Sequence, residues 1–402
     1  MKKKIVGISM LVLLLLGTTF KVFATNNTEE LFGINLRIGE TFVIQGVPKI
    51  QETVNSDKTS KNSATYLFSI KLTKEFENGQ IVARFKGGRG LGIEGQLDKN
   101  GQEKKLFLTY AQTNGTADST LDGSANTLAK ITELFYQHSF LNKRLTVNFG
   151  KLGFGSYFAE NKYAKNKTTQ FITGTFSTDK TIDTPPERLA LRLKYIVNNK
   201  FDISYGYFIT NVNEIYKKGV NIIEFAYKPS KKCNCLTYIW ENNNTYYSYE
   251  NNSKSHMHGF GISVDQEIHP NFGIFARFGY KDPSIGQKKT EDSIFILPLS
   301  MAWSTGTELK GSSWRRSDDT IGFAVGQIFG SRYYKKYKNI GDDKDKNYKD
   351  NAETEAELYY RISLDKYISI TPAFQYIINP RGGNSPSKDN IFIFGIRTQV
   401  DF

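Results

Sequence analysis

The chain has 402 residues and a formal charge of +13, and it carries 29 Phe and 23 Tyr beside only 4 Met and 2 Cys. This aromatic mixture favours strands over helices, and past the first two dozen residues no stretch approaches the roughly 20 apolar residues of a membrane helix. A helical membrane bundle is therefore excluded, and basic residues dispersed among alternating aromatics argue against nucleic-acid binding.

Residues 1–24, MKKKIVGISMLVLLLLGTTFKVFA, combine a Lys-rich start, an apolar run and small or modest residues at Val22 and Ala24. That layout predicts a secretory signal peptide cleaved after Ala24; losing Lys2, Lys3, Lys4 and Lys21 brings the charge to about +9. Residues 25–63 are predicted to be a periplasmic or plugging segment, although ETFVIQG (40–46) reads equally as a strand.

From residue 64 to 402 the chain alternates. TYLFSIKL and QIVARFK keep Lys71, Arg84 and Lys86 on one face. RLALRLKYIVNNKFDISYGYFI opposes Leu189, Leu191, Leu193, Tyr195, Phe201, Ile203 and Tyr205 to Arg188, Arg192, Lys194 and Asp202. GFGISVDQEIHPNFGIFARFGY opposes Phe260, Ile262, Ile274 and Phe278 to Asp265 and Arg277. ELYYRISLDKYISITPAFQYII and the terminal NIFIFGIRTQVDF set Leu358, Tyr360, Phe374, Tyr376, Phe394 and Ile396 against Glu355, Glu357, Arg361 and Arg397.

A period of two places such sets on opposite faces of a strand. No charge falls on the apolar set of these strands, and tyrosines sit near its ends, as girdle residues at a bilayer interface would. The predicted fold is all-β: a transmembrane antiparallel up-and-down β-barrel of about 16 strands, counted from residue 64. A hydrophobic fraction of only 39% suits a wall that shows lipid every second residue.

Short connections at 141–144, 198–200, 229–235, 267–271 and 365–367 are expected on the periplasmic side, with 304–318 as a longer link there. Polar stretches at 210–220, 242–257, 282–292, 330–353 and 379–389 are expected to point outward. Segment 151–187 must be one long excursion, either folded inward to narrow the channel or left as a solvated surface loop.

A family resemblance follows from particular stretches. GQIVARFKGGRGLG, LFYQHSFLNKRLTVNFGKL with FAEN behind it, PPERLALRLKY, EFAYKP, FARFGYKD, RRSDDTIGFAVGQ and LYYRISLDKYISITPAFQYIINPRGG resemble, in this order, the carbohydrate-selective outer-membrane porins of the OprB family. The resemblance implies a monomeric sixteen-stranded barrel through which sugars diffuse. The aromatic Phe402 on an alternating terminal strand resembles the signal read by the outer-membrane barrel assembly machinery.

A sugar is rich in hydroxyls and apolar on its ring faces, so it suits a lumen offering planar donor forks, carboxylate acceptors and aromatic surfaces. The inward set supplies Arg84, Lys86, Arg188, Arg192, Lys194, Arg277, Arg361 and Arg397 as donors. Glu224, Asp265, Glu355, Glu357 and Asp401 are the acceptors, and Phe275 and Tyr359 the inward aromatics. These charges also read as pairs filling the wall, and their basic excess as mild selectivity for anions. A third reading is a plugged barrel acting at the surface through loops 242–257 and 330–353.

No enzyme is expected, since neither GxSxG nor HExxH occurs. His256-Met257-His258 reads as exposed loop, and Cys233-Asn234-Cys235, in a predicted periplasmic turn, as a plain thiol pair or an incidental disulfide, against a weak metal or redox role. No metal, cofactor or nucleic-acid partner is expected.

Overall fold

The computed structural model describes residues 33–51, 58–90, 92–97, 103–105, 109–115, 126–286, 298–340, 348–385 and 390–402; the signal-peptide segment lies outside them. Sixteen long strands make the wall. They are β1 Ile34–Gln51, β2 Lys58–Phe76, β3 Gly79–Arg89, β4 Asn126–Phe140, β5 Leu145–Leu152, β6 Arg188–Asn198, β7 Phe201–Ile209 and β8 Gly219–Ser230. They continue as β9 Cys233–Ser248, β10 Lys254–His269, β11 Phe272–Lys281, β12 Leu299–Lys310, β13 Thr320–Gly330, β14 Ala352–Ser363, β15 Ile368–Ile378 and β16 Ile391–Asp401.

Each strand pairs antiparallel with its sequence neighbour, and β1 also pairs with β16, from Gly39 opposite Asp401 to Gly46 opposite Phe394. That last pairing closes the sheet and removes its edges.

The wall is inverted relative to a water-soluble protein. Leu358, Phe394 and Ile396 on its outer face are 44%, 48% and 49% exposed, whereas Glu357 and Arg397, one residue away on the inner face, are fully covered. Only a solvent that is itself apolar makes this arrangement favourable, so the outer band faces lipid.

Several sequence expectations change. The barrel begins at Ile34 rather than at residue 64: β1 and the start of β2 are wall, and the count of sixteen requires β1. Glu40 had blurred the signal, because it stands in the outward row of β1, where the Tyr66 hydroxyl satisfies it.

Residues 304–310 are not a link but the second half of β12, leaving 311–319 as the connection. Its outward positions Thr305 and Thr307 and the inward Gly306 carry too little polarity contrast to register as alternation. Strands β9 and β10 run through most of 242–257, so the loop there is only 249–253, and Cys233 and Cys235 lie in β9 rather than in a turn.

The barrel is filled from within. Segment 153–187 turns inward between β5 and β6, with the short helix α1 Gly174–Ser177 in place of any strand at QFITGTF. Phe158, Tyr163, Phe171 and Phe176 on it are almost fully buried. Residues 109–115 form a second inner segment beside it, joined by Gly115 N–H to Ile172 O at 2.9 Å and Gly174 N–H to Gln112 O at 2.8 Å.

Candidate functional site

An irregular segment inside a barrel brings backbone donors and acceptors that have no ladder to join, and each must find a partner. Inward side chains of the wall provide them. Glu224 on β8 accepts the Ala159 N–H at 2.8 Å, and Asp265 on β10 accepts that of Lys162 at 3.2 Å. Arg277 on β11 donates to the carbonyls of Ala164 at 3.0 Å and Phe176 at 3.1 Å.

Glu357 on β14 accepts from Ile172 at 2.7 Å and Thr173 at 3.0 Å, and Arg397 on β16 donates to the Lys167 carbonyl at 3.1 Å. Charged partners make these stronger than neutral hydrogen bonds. Ala159 has φ +55°, a left-handed conformation costly for a non-glycine residue, and the Glu224 contact helps hold it there.

Aromatic packing adds to the polar anchors. Phe171 inserts between wall residues, with its ring centroid 5.0 Å from Tyr359 and 5.9 Å from Phe275, and 5.2 Å from Phe176 of its own segment. The Tyr359 hydroxyl donates to Glu308 at 3.1 Å. On the second inner segment, Glu353 accepts the N–H groups of Tyr110 at 2.8 Å and Ala111 at 2.7 Å, and also that of Arg381.

This geometry reassigns many of the residues expected to meet solute. Arg277, Arg397, Glu224, Glu357, Phe275 and Tyr359 do point inward, but the inner segment covers them and takes up their hydrogen-bonding or packing capacity. Arg192 lies over the Tyr157 ring, 4.9 Å from its centroid, and donates to Asn148 at 3.1 Å. Arg188 donates to the Thr210 carbonyl, and Lys194 pairs with Asp202 at 3.3 Å.

Glu355 is buried on β14 between Glu353 and Glu357. Arg361 is partly exposed near the short-turn end, where Asp401 accepts from Gln399 at 2.8 Å.

A cavity of about 1960 Å³ remains beside the inner segment. It reaches from Lys200, Lys232 and Phe402 at the short-turn end to Lys281 and Leu299 at the ends of their strands on the long-loop side. Of the fifteen inward residues expected to meet solute, Arg84, Lys86, Asp265 and Asp401 line it. Residues not singled out as site candidates join them: Arg37 and Lys71 from the wall, Glu133 opposite Arg84, and Lys165 beside Glu160 on the inner segment. Lys71 shares a face with Arg84 in the sequence, a signal that was available, whereas Arg37 lay in the segment read as outside the barrel.

Among the described residues no three His, Cys, Asp or Glu side chains gather as a metal site. His256 contacts Glu241 at 3.3 Å and His258 contacts Asp282 at 3.8 Å, while Cys233 and Cys235 are free thiols with their sulfurs 3.8 Å apart.

The family model for the carbohydrate-selective porin, OprB family, matches residues 27–230 and 225–402, which together take in the whole wall. The chain belongs to the OprB family of carbohydrate-selective porins. As an OprB-family porin it is an outer-membrane channel.

Its fold is similar to the high-pH structure of Pseudomonas putida OprB, with a TM-score of 0.73 at 17% identity over 94% of this chain and 97% of that one. The low-pH structure of the same protein gives 0.56 at 16% identity, over 94% and 96%. The outer-membrane channel DcaP of Acinetobacter baumannii gives 0.52 at 11% identity, over 92% and 98%. No curated protein matches this OprB-family chain.

Proposed function

We propose that this OprB-family porin lets mono- or oligosaccharides such as glucose diffuse passively across the outer membrane. The observation that supports this reading best is an inner segment pinned to the wall by five charged side chains, next to a polar cavity running along the lumen. A fixed constriction beside many weak polar contacts is what a sugar channel needs, because the solute must both enter and leave. In this reading segment 151–187 is the constriction, and Arg84, Lys86 and Asp265 are the wall residues that meet the sugar.

The chain is exported by a signal peptide that is cleaved after Ala24, is handed to the barrel assembly machinery through the strand ending at Phe402, and works as a monomer. N-terminal sequencing of the mature protein checks the cleavage site, and cross-linking checks the oligomeric state.

The direct test reconstitutes the mature chain in a planar bilayer and titrates glucose and maltose while recording ion current. A saturable fall in discrete conductance supports the reading. A stable, anion-selective conductance indifferent to sugar replaces it with a general anion channel, and no conductance replaces it with a closed, surface-acting barrel.

A further inference from the structure

Four adjacent wall strands carry a row of directly opposed charged residues. Arg37 on β1 stands opposite Lys71 on β2, Lys71 opposite Arg84 on β3, and Arg84 opposite Glu133 on β4. One inward step further along β3, Lys86 stands opposite Lys130 of β4. Like charges directly opposite across a sheet are destabilising, and a single carboxylate, Glu133 at 3.2 Å from Arg84, serves the first row. Among the described residues neither Lys71 nor Lys86 has a carboxylate within 4 Å.

The row faces the cavity rather than the inner segment's backbone, so these cations are not consumed as anchors in the way Arg277 and Arg397 are. The cavity lining as a whole has fourteen Lys or Arg against seven Asp or Glu, and only two aromatic side chains, Phe154 and Phe402. Ring stacking, the usual handle on a neutral sugar, is therefore scarce there, while the excess of cationic side chains in a narrow pore favours anions.

We infer that the carbohydrates this lumen favours carry a negative charge, as in a uronate or a sugar phosphate, and that the Arg37–Lys71–Arg84 row with Lys86 is the site that selects them. This rests on the carbohydrate-porin reading. The anionic group would sit against the row, and the sugar hydroxyls would exchange hydrogen bonds with the lysine and arginine donors and with Glu133.

The test compares glucose, glucuronate and glucose 6-phosphate as blockers of the mature chain's conductance in a planar bilayer, with acetate as the anion that lacks a sugar. The expected result is half-block by glucuronate and glucose 6-phosphate at about tenfold lower concentration than by glucose, the low end of what a focused field supplies. Acetate is expected to block less than either. The preference should shrink at about 1 M salt, where the screening length falls to about 3 Å.

Lys71→Gln and Lys86→Gln should each reduce the preference by at least half; if either variant fails to assemble, the more exposed Arg37→Gln makes the same measurement. Equal block by glucose and glucuronate, or an undiminished preference in the variants, overturns this inference while leaving the sugar-porin reading standing. No block by any saccharide overturns that reading itself.

Discussion

The carboxylate of Glu357 on β14 holds the backbone N–H of Ile172, on a segment 185 residues earlier in the chain, at 2.7 Å. The same carboxylate takes the N–H of Thr173 at 3.0 Å. A buried carboxylate on the wall thus satisfies two buried backbone groups of the inner segment. Glu357→Ala leaves both N–H groups unpaired, at about 1–3 kcal/mol each. The expected outcome is a folded barrel with a larger or noisier single-channel conductance and faster amide exchange at 171–174; an unchanged trace would remove Glu357 as an anchor.

Phe171 is the apolar counterpart of that anchor. Phe171→Ala removes a ring packed against Tyr359, Phe275 and Phe176 and should weaken docking of the inner segment by about 3–5 kcal/mol, the usual range for a buried aromatic truncation. Conductance should rise while the melting temperature of the wall changes little. Because Phe171 and Tyr359 share one contact, the double variant Phe171→Ala/Tyr359→Ala should show less than the sum of the single effects.

The connection between β12 and β13 offers a pH-dependent prediction. Burial opposes ionisation of Asp319, but Arg316, the Tyr360 hydroxyl and the Ser363 N–H at 2.9 Å together hold its carboxyl below the usual carboxylate range. A depressed folded-state pKa contributes stability that is present above the unfolded value of about 3.9 and disappears as pH falls through the folded value. Asp319→Asn should therefore lower the thermal stability of the detergent-solubilised barrel at pH 7. The gap from the parent chain should narrow as the pH is lowered below about 4.

The lipid face is tested by a charge. Ile396→Lys should cost about 2–4 kcal/mol if this position lies near the bilayer midplane, whereas Tyr216→Lys, in the exposed 210–218 connection, should stay within about 0.5 kcal/mol. Urea unfolding in lipid vesicles measures both, and equal costs would contradict the assignment of the outer band.

The outer face was legible because lipid imposes one demand on every residue that meets it. Leu358, Phe374, Phe394 and Ile396 could be placed without knowing their neighbours. Where that demand weakens, legibility fails: Glu40 interrupts the outward row of β1, and the threonines of β12 are neither clearly apolar nor clearly polar. The inner face obeys no such uniform rule. Arg84 and Arg277 look alike in the sequence, yet one faces an open cavity and the other is occupied by the carbonyls of Ala164 and Phe176. The difference lies in the path of a segment about a hundred residues away, which alternation does not encode.

The positions of the five anchors have a consequence for biogenesis. The inner segment leaves the wall after β5, yet Glu224, Asp265, Arg277, Glu357 and Arg397 all follow it in the chain, the last of them on the strand that seals against β1. A nascent barrel with only its early hairpins formed lacks all five of these anchors, so docking of the inner segment is completed only as the seam zips shut. Such pairing of distant positions is a slow step in folding. Here it also sets an order of events, in which the last anchor, Arg397, becomes available only with the strand that closes the wall.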